Sequence, residues 1–248
     1  MSDARLLYTP VNTLKPVDEA VWIVDGPVIR YGLPWPKMRF PTRMTVLRLG
    51  RDDLFIHSPT ALTPELHDAI RRLGTPRWII APNRIHYWWV PDWRQAFADA
   101  VVYLAPRVRE QAGGRIDFPT QPLHDVAGYP WDAEVATLPI AGSYLTEVEF
   151  FHYRSRTLIL TDLIENFEPG KLDSAFARWL TRIGGTQDPH GQMPRDMRLT
   201  FARQRKALRA AVRQMIEWDP ERVILAHGRW YTAQGAAELR RAFRWLLD

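Results

Sequence analysis

The chain has 248 residues, of which 46% are hydrophobic, so it can bury a sizeable core and is not a disordered polymer. No segment approaches the roughly 18–20 uncharged apolar residues that a membrane-spanning helix needs. Cysteine is absent, which excludes disulfides, thiol nucleophiles and cysteine-ligated zinc. A bound metal would therefore need ligands from His, Asp, Glu, backbone or water. The net charge of +5 is modest for this length.

Many arginines lie at helical spacing between residues 195 and 244, and we interpret them as a solvated helix face. They are not interleaved with exposed aromatic residues, so we expect no nucleic-acid partner. Because no segment could span a bilayer, we also expect no membrane partner. The first residues lack a basic stretch followed by an apolar run, which predicts no secretory signal and a cytoplasmic location. The expected partner is a small-molecule substrate or ligand, and the oligomeric state stays open.

The first half of the chain predicts strands that alternate with helices. The Pro-rich segment 33–42 is typical of an ordered loop between early strands. Thr63 and Pro64 form a helix start, and Gly74 forms its end. The predicted elements are strands over 43–49 and 54–57, a helix over 63–73, a strand over 78–82, a helix over 90–100 and a strand over 101–105.

The second half begins with a loop-rich stretch from 106 to 133, which contains one possible helical turn at 106–111. Further along, the predicted elements are strands over 134–140, 146–153 and 156–163, helices over 172–183 and 197–218, a strand over 222–228 and a helix over 236–248. This order favours an α/β (α+β) arrangement in which sheets are covered by helices on their outer faces.

Chemically useful side chains follow four of the predicted strands, at the place where loops of layered α/β proteins collect functional groups. They are His57, His86, Asp162 and His227. Imidazole and carboxylate ligands suit Zn²⁺, Fe²⁺ or Mn²⁺. Taken one by one, each residue also has a structural interpretation, because a histidine or aspartate at a strand end often forms a hydrogen bond or a turn. The metal hypothesis depends on their order and spacing.

Four segments in this order resemble the metallo-β-lactamase superfamily, and more closely a branch known only as a domain of unknown function. They read FIHSPTALTPEL, IIAPNRIHYWWVPDW, SYLTEVEFFHYRSRTLILTDLIENF and VILAHG. The resemblance runs from about residue 18 to 245. It implies a four-layer αββα sandwich with metals at one edge, and a single metallo-β-lactamase-like domain over 1–248.

The resemblance carries over unevenly to the metal ligands. Ala81, Asn83 and Ser143 stand at the three positions that would supply the first metal with histidines. The second metal's set is retained as His86, Asp162 and His227, although Ile85 replaces an acidic residue that precedes its first histidine. The resemblance therefore implies one divalent metal, namely zinc, iron or manganese, held by two histidines and one carboxylate.

Three further residues are candidates for supporting roles. His57 stands where the superfamily has an aspartate, so it is a candidate fourth ligand, hydrogen-bond donor to a ligand, or general base. Glu147 and Glu149 lie near the missing third histidine, and an alternating strand places both on one face. We expect Glu147 or His57 to act in catalysis.

Two functions fit these observations. The first is a mononuclear metal-dependent hydrolase of an ester, amide, thioester or phosphoester. The alternative is a non-catalytic relative with a degenerate metal site, in which the aromatic residues Tyr87, Trp88, Trp89 and Trp93 fill the old site or line a ligand pocket. An RNA-processing role is disfavoured, because nuclease branches of the superfamily usually need two metals and an inserted domain.

Overall fold

The computed structural model describes residues 3–31 and 38–248 and contains two β-sheets. The seven strands of the first sheet follow one another in chain order: β1 (Lys15–Asp18), β2 (Val21–Tyr31), β3 (Met38–Leu49), β4 (Asp53–His57), β5 (Thr75–Ala81), β6 (Val101–Leu104) and β7 (Gln121–Pro122). Strands β1 to β4 pair in antiparallel fashion, whereas β4 to β7 are parallel. Helices α1 (Pro64–Leu73) and α2 (Val90–Ala96) provide the crossovers between parallel strands.

The second sheet has four strands in the order β11-β10-β9-β8: β8 (Val135–Ala141), β9 (Thr146–His152), β10 (Thr157–Leu160) and β11 (Arg222–Leu225). The remaining helices are α3 (Val108–Ala112), α4 (Ala175–Gly184), α5 (Arg195–Thr200), α6 (Arg205–Glu217), α7 (Gly235–Ala242) and α8 (Arg244–Leu247). Strands β10 and β11 are parallel, and α4 to α6 lie in the connection between them. None of the described helices is long and apolar enough to cross a membrane.

The sheets pack against each other because the strands of the second sheet are apolar on both faces. Phe150 and Ile159 belong to the core shared with the first sheet, whereas Phe151 and Leu158 belong to a second core. That second core also contains buried side chains of α6 and α7, including Leu208. The alternation places helices outside two central sheets, which confirms the predicted αββα sandwich.

The segment from 33 to 42 differs in part from its predicted loop structure. Residues 33–37 lie outside the described part of the chain, but β3 already begins at Met38 and pairs with β2 as far as the hairpin end. Proline has no N–H group to donate within a sheet, so it is tolerated best where the pairing is already irregular. Pro41 lies opposite Val28, where the β2–β3 register shifts. The loop prediction was therefore wrong for residues 38–42. Strands β1 and β2 lie in a region for which the sequence predicted no strand bounds.

The long helix predicted over 197–218 is interrupted. Helix α5 ends at Thr200, a short 3-10 turn covers Ala202–Gln204, and α6 begins at Arg205. Phe201 stands at the break, with a φ of −102° and a ψ of 5°, and its ring is almost fully buried in the second core. Elsewhere the ends shift: β10 and β11 stop at Leu160 and Leu225, so Asp162 and His227 lie in the loops that follow.

Trp131 connects the two sheets through its aromatic ring. Its ring meets Phe55 of β4 edge-on at 5.0 Å and Phe150 of β9 at 6.4 Å, and its Nε1 donates to Thr137 Oγ1 at 3.0 Å. We predict that Trp131→Ala lowers the free energy of unfolding by about 3–5 kcal/mol, because it leaves a cavity between the sheets. Urea unfolding monitored by circular dichroism measures this.

Val126→Ala is the control for this substitution, because Val126 is largely exposed. Its effect should stay within about 0.5 kcal/mol. A loss for Trp131→Ala as small as that of the control would contradict the bridging role.

Candidate metal centre

Three buried side chains, those of His86, Asp162 and His227, converge between the sheets. The two histidine Nε2 atoms lie 3.1 Å apart. Nε2 of His86 lies 3.3 Å from Oδ2 of Asp162, and Nε2 of His227 lies 3.2 Å from Oδ1 of the same carboxylate. The three residues that the sequence pattern selected therefore meet at one point, each presenting a potential ligand atom.

The strand order explains why these residues meet. Asp162 and His227 each follow their strand, β10 and β11, by two residues. Because these strands are parallel neighbours, their carboxyl ends lie at the same edge of the second sheet. His86 comes from the loop after β5 of the first sheet, and that loop is tied to the second sheet by a 2.9 Å hydrogen bond from the Val148 amide to the Pro82 carbonyl.

Both histidine rings are fixed by oxygen atoms at Nδ1. His227 Nδ1 lies 2.7 Å from the carbonyl oxygen of Pro41, and His86 Nδ1 lies 2.7 Å from Ser58 Oγ. A carbonyl only accepts, so Nδ1 of His227 carries the proton and Nε2 of the neutral ring has a free lone pair. Metal-bound histidines commonly have such an oxygen partner on the other ring nitrogen.

The charges of the cluster are mutually dependent. Burial opposes ionisation of Asp162, but the neighbouring His86 and His227 outweigh it and lower the pKa of this carboxyl. For His227, burial disfavours the charged ring, yet the hydrogen bond and charge of Asp162 raise its pKa overall. Without a metal, the arrangement therefore favours an ion pair between the two residues.

The donor set fits a divalent metal. Ligand atoms that share one tetrahedral Zn²⁺ at about 2.0–2.2 Å lie about 3.3–3.6 Å from one another. The two Nε2 atoms lie 3.1 Å apart, and they lie 3.2 and 3.3 Å from one oxygen each of the Asp162 carboxylate, so the separations come close to this range. Two imidazoles and one carboxylate also suit iron or manganese.

Asn83 occupies a position where the resemblance implies a histidine of the first metal. Its side-chain amide donates to Asp162 Oδ2 at 2.6 Å and to Thr161 Oγ1 at 2.9 Å, and its oxygen accepts from the Ile85 amide at 2.9 Å. The fully buried side chain thus donates to the same oxygen of Asp162 that faces His86, whereas His227 faces the other oxygen. The sequence treated Asn83 only as a missing ligand, although a buried polar residue just after a strand is itself a signal of a hydrogen-bonded position.

The other two first-metal positions do not contribute ligand atoms to this cluster. Ala81 ends β5 and has no polar side chain. Ser143 is exposed, and its hydroxyl donates to the Thr200 carbonyl at 2.8 Å.

Glu147 lies under the Asp162 loop. One carboxylate oxygen accepts from the backbone amides of Thr161, Asp162 and Leu163 at 2.8 to 3.1 Å, and the other lies 2.9 Å from the Asp162 amide. These contacts use the carboxylate to hold the backbone that carries Asp162. They favour a positioning role for Glu147 over the general-base role expected from the sequence.

Glu149 lies two residues further along β9 and is also fully buried. Neither of its carboxylate oxygens has a hydrogen-bond partner among the described residues. Burial, and then the nearby Glu147, raise the pKa of this carboxyl well above its usual value. The surroundings of Glu149 therefore disfavour a second negative charge next to Glu147 and Asp162.

His57 is buried beside this cluster but is not one of its three converging residues. Its ring meets Phe150 edge-on at 5.5 Å, and its Nε2 has no partner in the described part of the chain. Burial, and then the neighbouring His86, lower the pKa of His57 to about 3. The ring is thus neutral at pH 7.

The loop that carries His227 is held by two residues that the sequence analysis missed. Arg43 is buried, and its guanidinium donates to the carbonyls of Leu225 at 2.6 Å and Gly228 at 2.8 Å while it pairs with Asp25 at 2.7 Å. Gly228 has a φ of +87°, and a Cβ atom there would lie 2.1 Å from the Asn166 carbonyl oxygen. No sequence motif marked Arg43, because arginine at the start of a predicted strand is ordinary.

Gly228→Ala should disrupt this loop. The added methyl group collides with backbone, so we predict a large loss of stability and displacement of His227, measured by chemical unfolding and by NMR of the histidine ring. Gly50→Ala is the matched control, because Gly50 also has a positive φ, +58°, but no atom within 4 Å. The control should cost only about 1 kcal/mol. Equal effects of the two substitutions would show that steric contact at Gly228 is unimportant.

The sequence of the chain matches one protein-family model. A family model described as "Domain of unknown function (DUF4336)" matches residues 20–172. No curated protein matches the sequence.

Solved structures show the same fold at low identity. A metallo-β-lactamase from Hirschia baltica is 11% identical with a TM-score of 0.60, and the match covers 94% of this chain and 97% of that one. FIM-1 from Pseudomonas aeruginosa, in a mono-zinc form, is 14% identical with a TM-score of 0.58, covering 95% and 96%. The Flv1 flavodiiron core from Synechocystis sp. PCC6803 is 11% identical with a TM-score of 0.61, and 95% of this chain matches 60% of that one. The protein therefore belongs to the DUF4336 family and has the metallo-β-lactamase fold.

Proposed function

We propose that this protein is a mononuclear metal-dependent hydrolase in which His86, Asp162 and His227 hold one divalent metal. The observation that carries the proposal is the convergence of the two Nε2 atoms and the two oxygens of the Asp162 carboxylate, at separations of 3.1 to 3.3 Å, with both histidine rings fixed through Nδ1. Zinc, iron and manganese all accept this donor set. The mono-zinc form of FIM-1, a protein of similar fold, is consistent with one occupied position in such a site.

A divalent ion held there would act as a Lewis acid on the scissile ester, amide, thioester or phosphoester bond of a small substrate and would lower the pKa of a water molecule. The protein's own residues prepare the ligands. Pro41 and Ser58 orient the two rings, and Glu147 holds the Asp162 backbone. His57 keeps a free ring nitrogen beside this group, but its pKa of about 3 makes it a weak base at neutral pH. We therefore do not assign His57 the role of general base.

The alternative is a non-catalytic protein whose former metal site is closed by hydrogen bonds. Asn83 supports it, because its amide already satisfies Asp162 where a further metal ligand would stand. The nearby aromatic residues give less support to a ligand pocket. Trp93 is fully buried and donates Nε1 to the Thr60 carbonyl at 2.7 Å, and Tyr87 is almost fully buried. Both residues belong to the core that the second sheet shares with the first.

Metal analysis tests the proposed ligand set. We expect the purified chain, reconstituted separately with Zn²⁺, Fe²⁺ or Mn²⁺, to retain about one equivalent of at least one metal, measured by mass spectrometry of the elements after gel filtration. His227→Ala should lower the content to background, because it removes one of three ligands. His124→Ala removes an exposed imidazole outside the cluster and should retain the wild-type content.

Hydrolysis of a panel of esters, thioesters, amides and phosphoesters, lost in His227→Ala and retained in His124→Ala, would complete the test. Background metal content in the wild-type chain with all three ions would refute the hydrolase and favour the non-catalytic alternative. A metal-loaded chain that hydrolyses none of the panel would retain the metal site and reject the proposed reaction classes.

Asn83→Ala separates the metal-binding protein from the hydrogen-bonded one. The substitution removes the 2.6 Å hydrogen bond to buried Asp162, so we expect the metal-free chain to lose about 1–3 kcal/mol of unfolding free energy. If a metal binds Asp162, saturating metal should recover part of this loss. Unfolding in chelator and in excess metal measures both values, and an identical loss in the two conditions would argue against metal binding at Asp162.

A further inference from the structure

Helix α4 carries large apolar side chains on its solvent side. Phe176, Trp179, Leu180 and Ile183 are between 36% and 57% exposed, and they follow one another at spacings of three, one and three residues. On a helix with about 100° between residues, these positions form one continuous stripe. The buried residues of the helix are the small Ala177 and Thr181. The face that would ordinarily enter the core is thus separate from the face with the larger apolar side chains.

The charges next to this stripe are positive. Arg178 and Arg182 are exposed one turn apart, and α4 contains no acidic residue. The acidic residues that precede the helix are engaged elsewhere: Tyr8 donates to Glu168 at 2.6 Å, and Asp173 pairs with Arg39. The helix therefore combines an aromatic and aliphatic stripe with an adjacent row of guanidinium groups. Helices that lie in a membrane interface combine the same features.

We propose that α4 docks this protein on the surface of an anionic lipid bilayer, with the stripe inserted at the level of the headgroups and the two arginines against the phosphates. Tryptophan and phenylalanine favour this interface because their rings are large and apolar, and arginine reaches headgroups while its stem stays on apolar surface. The sequence-based expectation of no membrane partner rested on the lack of a spanning segment, which peripheral docking does not require.

Two observations favour a bilayer over a second copy of the chain. Four side chains of this size, each about half exposed, provide roughly 400 Å² of apolar surface, and two copies provide less than the about 1,200 Å² typical of stable interfaces. A two-fold contact through this face would also bring Arg178 and Arg182 of both copies together, and α4 has no carboxylate to compensate them. An anionic surface compensates the same charges.

The docking face lies close to the candidate metal centre. Ala177 of α4 belongs to a small cluster with Phe167 and Leu172, against which Phe40 packs. The Phe40 ring lies 5.8 Å from that of Phe167 and 5.3 Å from that of His227. Docking through α4 would therefore place a bilayer within a few side chains of the site. The inference itself does not depend on the proposed metal or hydrolysis.

Flotation of the full chain with vesicles tests the proposal. We expect co-flotation with vesicles of phosphatidylcholine and phosphatidylglycerol in equal parts, and at least about fivefold weaker binding to phosphatidylcholine alone or at high salt, which screens the arginines. The double variant Phe176→Ser/Trp179→Ser should bind at least about tenfold more weakly, because it removes the aromatic part of the stripe. Arg182→Gln should weaken binding only to the anionic vesicles.

The matched control is Leu199→Ser, which removes the most exposed large apolar side chain outside α4. It should bind as the wild type does, and circular dichroism should show all variants folded. Equal binding of the double variant, or no binding of the wild type to anionic vesicles, would overturn the proposal. Wild-type dimers that the double variant dissociates, without vesicle binding, would overturn it in favour of a second copy on this face.

Discussion

The buried carboxylate of Asp162 requires hydrogen-bonding and charged partners, and this requirement determines which side chains lie around it. A charge in the protein interior is costly unless it is paired and hydrogen-bonded, and the partners of Asp162 come from both sheets. His227 reaches it from the second sheet, while His86 and Asn83 reach it from the loop after β5 of the first. The loops that hold these side chains are therefore constrained to meet, whether the histidines compensate the charge as an ion pair or through a shared metal.

Two neighbouring glutamates show how the interior limits the negative charge around Asp162. Glu147 is stabilised by three backbone amides, which are fixed dipoles that also define the path of the Asp162 loop. Glu149 has no such donors, and burial, followed by the neighbouring Glu147, raises its pKa well above the usual value. Burial and then Asp162 also raise the pKa of Glu147, so both carboxyls resist ionisation although only Glu147 lies under a row of N–H groups. The cationic Arg43 is compensated in the same way, by Asp25 and by carbonyls of the His227 loop.

The sequence was most informative where a local pattern sufficed. Thr63, Pro64 and Gly74 placed helix α1 correctly, because the cap and the helix end depend on adjacent residues. The strand ends marked His57, His86, Asp162 and His227 as candidates, and the family resemblance selected the last three. Asp162 and His227 meet because parallel neighbouring strands end at one edge. Asn83 and Arg43 escaped because their roles depend on partners distant in sequence. The break at Phe201 also escaped, because the apolar periodicity of the segment looked continuous through that residue.

Asn83 stands where the resemblance implies a metal-binding histidine, and it binds Asp162 through a hydrogen bond instead. Asp162 has two carboxylate oxygens, and each needs a donor in a site from which water is largely excluded. His227 faces Oδ1, whereas Oδ2 accepts from Asn83 at 2.6 Å and lies 3.3 Å from Nε2 of His86. An alanine at position 83 would leave Oδ2 with His86 alone, and a second carboxylate there would add repulsion. A neutral amide donor meets the requirement without a second cation. Asn83 thus fixes the orientation of the Asp162 carboxylate through Oδ2, and with His86 and His227 it surrounds that carboxylate with partners.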